Sequence, residues 1–132
     1  MAAVDEVDAY LESVDGLSAR RLSHGEWGIT VLGDRVGGDP IEASLRIADG
    51  LLRAQAFALP ARDGIDPWLL LHWNRQTRLV RIACARSGDI WVHGDLPVAA
   101  VDERSLDRLL GLVVEGAVAV RNYAATASAP PA

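Results

Sequence analysis

Residues 39–59, DPIEASLRIADGLLRAQAFAL, decide the fold. Asp39-Pro40-Ile41-Glu42 resembles a helix start, with a capping side chain, a first-turn proline and a capping-box glutamate. The residues after it argue for strands instead. Ile41, Ala43, Leu45 and Ile47 alternate with Glu42, Ser44 and Arg46, the period of a strand with one face buried. Asp49-Gly50 then supplies the two residues that a tight hairpin prefers. The stretch therefore predicts two antiparallel strands, the second running from Leu51 to Leu59.

Upstream, Trp27, Ile29 and Val31 alternate with Gly28 and Thr30, so strands are expected through the whole of Leu17–Leu59. The glycine-rich run GDRVGGDP (33–40) has no phosphate-binding signature and reads as a turn. Residues 3–14 carry helical spacing at Val4, Val7, Leu11 and Val14, with Tyr10 beside them and acids on the remaining faces. Gly16 suits the position just past that helix.

In DPWLLLHWNRQ (66–76), Asp66 can cap and Pro67 can open a helix reaching about Gln76. Leu79 to Ala85 and Asp89 to His93 form a strand pair around Ser87-Gly88, stopped by Leu96-Pro97. A two-residue turn there would pair Cys84 with Trp91 and Ile82 with His93, putting Cys84 and His93 diagonally on one face. The last helix carries Leu106, Leu109, Leu110, Val113, Ala117 and Val120 as one apolar stripe. Asp102 is its expected cap, Glu103 lies in its first turn, and Arg121 is placed in its last turn. Gly111 and Gly116 are positioned to bring it close to the sheet. The order α-β-β-β-(β)-α-β-β-α predicts an α+β fold with an antiparallel sheet of about five strands and flanking helices. One domain is expected over 1–125, with 126–132 a disordered tail.

Composition excludes several chemistries. The chain has 132 residues and a net charge of −5, and all 13 basic residues are arginine. Without lysine there is no phosphate-loop or Schiff-base chemistry. The single cysteine, Cys84, rules out an internal disulfide and a multi-cysteine metal site. His72, His93 and Cys84 are too few and too scattered for zinc, so no metal or cofactor is expected. No nucleophile elbow accompanies Ser23-His24 or Ser87, so no catalytic residue is assigned. Arg75, Arg78 and Arg81 near Trp73 form a small basic patch, but the acidic balance opposes nucleic-acid binding. The acidic N-terminus lacks a signal peptide's pattern, and no run of about 18 apolar residues exists for a membrane span. A cytoplasmic protein is expected.

Residues 69–117 resemble the YbjN-domain family, especially its actinobacterial members. The resemblance rests on Asn74 at the end of a short helix, Gly88-Asp89-Ile90-Trp91, Leu96-Pro97 and Leu106-Asp107-Arg108-Leu109-Leu110-Gly111, with Trp27-Gly28 matching an early strand. It implies the fold of type III secretion chaperones, which are small, acidic, cytoplasmic homodimers that bind segments of other proteins. No catalytic role is transferred. The expectation is a non-enzymatic module binding a partner polypeptide through exposed apolar sheet or helix surface, as a homodimer, with a regulatory use open to it. On the helix at 67–76, Leu69, Leu70 and Trp73 share one side. Trp68, Leu71 and His72 lie towards another. Both sides cannot cover the sheet, so Trp68, Leu71, His72, Trp73 and Trp91 are the candidate partner or dimer contacts. The alternative is a small-molecule pocket, or an enzyme's, near Trp68, Trp73 and Trp91.

Overall fold

The computed structural model describes residues 2–36 and 38–127. The chain forms α1 (Ala3–Ser13), β1 (Leu17–Ser23), β2 (Glu26–Val31), α2 (Gly33–Val36), β3 (Ile41–Ala48), β4 (Leu51–Leu59), α3 (Pro67–Trp73), β5 (Val80–Cys84), β6 (Ile90–Pro97), a 3-10 turn (Val98–Ala100) and α4 (Glu103–Ala127). The six strands make one sheet in the order β1-β2-β3-β4-β6-β5, and every neighbouring pair is antiparallel. The α+β expectation holds, with six strands rather than about five. The short α2 occupies part of the run read as a turn.

The deciding stretch is two strands. Asp49 and Gly50 both take positive φ, 54° and 76°, between the paired residues Ala48 and Leu51. That is the turn whose twist matches a hairpin. After β4 the chain passes through α3 to the far edge strand β5, then returns through β6 beside β4.

Both long helices pack on one face of the sheet. The predicted stripe on α4 is buried in full, and Ala124 extends it by one turn. Beneath it, between Leu52 and Leu59, β4 offers only Ala54, Ala56 and Ala58, all buried, and β6 offers Gly94. These small residues let α4 lie close. A Cβ on Gly94 would stand 2.7 Å from Cδ1 of Leu109 and 2.9 Å from Cγ1 of Val80. On α1, Val7, Tyr10 and Leu11 are buried. Tyr10 Oη donates to Asp107 of α4 at 2.9 Å, and Trp27 Nε1 donates to Asp8 at 2.8 Å. At the start of α4, Asp102 accepts from the Ser105 N–H at 2.8 Å while Ser105 Oγ accepts from the Asp102 N–H at 2.9 Å. This reciprocal cap holds the Asp102 carboxyl below its usual range, mainly through the Ser105 backbone N–H.

Two expectations are corrected, and a third falls mostly outside the described residues. Arg121 is not at the end of α4, which runs on to Ala127. Its guanidinium reaches back to the carbonyls of Ala58 (3.0 Å), Asp39 (2.7 Å) and Pro40 (3.1 Å), tying α4 to the ends of β3 and β4. Thr126 and Ala127 are helical, while the rest of the expected tail, 128–132, lies outside the described residues. The β5–β6 register differs by one residue. Cys84 pairs with Ile90, Ile82 with Val92 and Arg81 with His93. The loop is three residues long: Ala85 N–H bonds Asp89 C=O at 2.9 Å, and Gly88 takes φ 94°. A three-residue loop with a left-handed glycine replaces the two-residue turn. A one-residue slip exchanges faces, so Cys84 and His93 stand on opposite faces of the sheet.

Candidate functional site

The two edges of the sheet are treated differently. β1, at one end, is exposed over all but its first residue. Gly16 C=O accepts from Leu32 N–H at 3.1 Å, so Gly16 faces β2. The alternation of an antiparallel ladder then turns the N–H and C=O of Leu17 and Ala19 outward. Beside Leu17 opens a groove of about 490 Å³ between α1 and α4. Val14, Leu17, Val31, Leu110 and Val114 give it apolar walls, and Asp15, Asp107, Arg108 and Glu115 add charge. Gly111 also lines it, and a Cβ there would meet nothing within 4 Å. Arg21 on β1 is tied down by Asp8 at 3.3 Å, by Nδ1 of His24 at 3.1 Å and over the ring of Trp27.

At the other end, β5 is covered at Val80 and Ile82. Asp66 accepts from the Trp68 N–H at 2.9 Å and Pro67 opens the helix, as the sequence predicts. α3 stops at Trp73, short of Gln76, because the next bonds tighten to i→i+3: Arg75 N–H to His72 C=O and Gln76 N–H to Trp73 C=O. Asn74 then pairs with the outer side of Ile82. Leu70 is buried, and Trp73 meets Tyr123 edge-on at 5.6 Å. Tyr123 Oη also accepts from the Asp66 N–H at 2.9 Å. The outer side of α3 faces solvent: Trp68 is 78% exposed, Leu71 is 57% exposed, and His72 is exposed too.

The five candidate contacts therefore separate. Trp68, Leu71 and His72 share the outer side of α3. Trp73 turns inward and lines a groove of about 250 Å³ with Val80, Ile82, Val92 and Gly116. Trp91, next to Val92, points to the opposite face of the sheet, edge-on to Phe57 at 5.2 Å. A common pocket for Trp68, Trp73 and Trp91 is thus not formed, because strand alternation sends Trp91 to the wrong face.

That open face is mostly polar. Glu26, Arg46, Arg53 and Asp95 stand in register across four strands, as do Gly28, Ser44, Gln55, His93 and Arg81. Arg53 binds Asp95 through two hydrogen bonds, 2.8 Å and 3.2 Å, which raise the guanidinium pKa further. His93 is half-buried, and burial with the Arg53 charge pushes its imidazole below the usual range, against a smaller pull from Asp95. Arg81 bonds the Val80 C=O and Thr77, while Arg75 and Arg78 stay exposed. Among the described residues no polar or charged side chain is buried, and no three metal-ligating side chains cluster. Among the described residues no helix is long and apolar enough to cross a membrane.

Asn74 stands out in the sequence only as the residue ending a short helix, and neither its role at the β5 edge nor the open strand β1 is marked by any residue pattern. Both depend on which strands end the sheet.

Solved structures share this fold. A chain of the HopA1–SchA chaperone–effector complex superposes with a TM-score of 0.70 at 14% identity, covering 89% of this chain and 91% of that one. YbjN from E. coli gives 0.65 at 15% identity, with 93% and 91% covered. SycH, a type III secretion chaperone of Yersinia pestis in complex with a stable fragment of YscM2, gives 0.61 at 16%, with 89% and 98% covered. At such identities the likeness is one of fold. No curated protein matches the chain. The family model of YbjN, described as "Putative bacterial sensory transduction regulator", matches residues 41–124. With strands β3 to β6 and nearly all of α4 inside that match, the chain belongs to the YbjN family.

Proposed function

We propose that the chain is a non-enzymatic polypeptide-binding module that takes an extended segment of its partner along the outer edge of β1. The observation that carries this reading is the asymmetry of the edges: β5 is covered, whereas β1 presents its backbone beside an apolar groove. Main-chain bonds to Leu17 and Ala19 would supply affinity, and a side chain seated between α1 and α4 would supply selectivity. The complexes among the similar structures, a chaperone with an effector and a chaperone with a protein fragment, support this mode of use. A regulatory outcome of such binding accords with the family description.

The test is a panel of extended peptides with alternating apolar residues, titrated into isotope-labelled chain. Slowed amide exchange at Leu17 and Ala19 is expected, with loss of binding in Gly111→Trp, which fills the groove. Shifts confined to the α3 side would overturn the reading.

The outer side of α3 is assigned to a second copy, giving a homodimer. Trp68 and Leu71 lie one turn apart and are the most exposed large apolar side chains of the described residues.

A further inference from the structure

A side chain closes the β5 edge at Ile82. Asn74 Nδ2 donates to the Ile82 C=O at 3.0 Å, and Asn74 Oδ1 accepts from the Ile82 N–H at 2.8 Å. A carboxamide carries the same donor and acceptor as a peptide group, so Asn74 takes the place of one residue of a seventh strand. The groups of Val80 on this edge are used as well. Its C=O accepts from Arg81 Nη1 at 2.7 Å, and its N–H bonds the Arg78 C=O at 2.7 Å. That last bond spans Leu79, which sits at φ 68°, a costly conformation for leucine. Native sheets protect their edges by such means.

The protected strand, Val80-Arg81-Ile82-Ala83-Cys84, is complementary to itself. Two copies aligned antiparallel about Ile82 set Val80 opposite Cys84 and Arg81 opposite Ala83, so no like charges meet. The N–H and C=O that Asn74 now holds are the groups such a pair would use.

We propose that Asn74 and α3 form a latch on β5: held, it keeps this edge from pairing with the β5 of a second copy, and released, it lets two copies join through Ile82 into one continuous sheet. The latch is small. Beyond Asn74 it rests on Leu70, on the edge contact of Trp73 with Tyr123, and on the Asp66 N–H bond to Tyr123. The inference stands apart from the proposed use of β1, whose readout is exchange at Leu17 and Ala19.

The experiment compares wild type with Asn74→Leu, which keeps the volume and removes both bonds. Exchange of the Ile82 amide should rise by about tenfold. At equal protein concentration, light scattering should give twice the wild-type mass. Adding Ala83→Arg sets like charges opposite each other across the symmetric pair, and the mass should return to the wild-type value. If Asn74→Leu fails to fold, Asn74→Asp, which keeps the acceptor and loses the donor, is read by the same two measurements. Equal Ile82 exchange in wild type and variant would overturn the proposal. So would an unchanged mass despite faster exchange, or a doubling that survives Ala83→Arg.

Discussion

Gly116 of α4 lies directly over Val92 of β6: a Cβ on the glycine would stand 2.9 Å from Cγ1 and 3.3 Å from Cγ2 of the valine. Gly111, five residues earlier on the same helix, faces open space. The two glycines therefore predict opposite results. Gly116→Ala gains helix propensity but overpacks a buried contact, for a net loss of about 1–2 kcal/mol. Gly111→Ala gains about 1 kcal/mol with no steric penalty. Denaturant unfolding of both variants checks the pair. A stabilised Gly116→Ala would mean that α4 shifts on the sheet.

Arg121 replaces a whole network with one side chain, since its three hydrogen bonds reach carbonyls on two different strand ends. Arg121→Ala should cost about 2–3 kcal/mol, because the carbonyls lose a charged donor. Arg121→Lys should recover less than half, because an ammonium cannot span the same fork. Thermal unfolding should rank wild type first, the lysine variant second and the alanine variant last.

His93 makes stability depend on pH. Burial and the neighbouring Arg53 lower its folded pKa below the unfolded value, so the unfolded chain binds the proton more readily. Stability is therefore complete above the unfolded value near 6.5 and falls as pH drops from there towards the folded pKa. His93→Gln should flatten the unfolding free energy between about pH 5 and 7. Unchanged pH dependence in that variant would assign the effect to another group.

Trp68 and Leu71 test the dimer separately from the fold. Both are exposed, so Trp68→Ser with Leu71→Ser should leave the melting temperature within a few degrees for the isolated copy. The same pair of changes should halve the mass seen by light scattering. A wild-type chain that already has the mass of one copy would end the dimer assignment.

The elements legible in the sequence are those whose signal is local. The stripe on α4, the cap at Asp66-Pro67 and the Asp49-Gly50 turn each sit within a few residues of the structure they specify. The split of α3 into a packed side and an exposed side is readable for the same reason. The β5–β6 register is not, because Ser87-Gly88 fits two loop lengths, and the choice sends every side chain of the hairpin to one face or the other. Phe57 as the partner of Trp91, and Asp39, Pro40 and Ala58 as partners of Arg121, join residues 34 to 82 positions apart. No periodicity encodes such distances. The closed edge at Ile82 depends on β5 being last in the sheet, which only the crossover through α3 establishes.

A sheet with one open end and one sealed end behaves as a chain terminator. A strand that docked on β1 would lengthen the sheet by one, whereas Asn74 occupies the Ile82 groups through which the opposite edge would grow. Fibril growth by strand stacking needs a free edge at both ends of every unit, so each copy added in this state stops the stack it joins. If β1 takes a partner strand as proposed, the carboxamide of one asparagine would limit sheet-to-sheet assembly at the other edge.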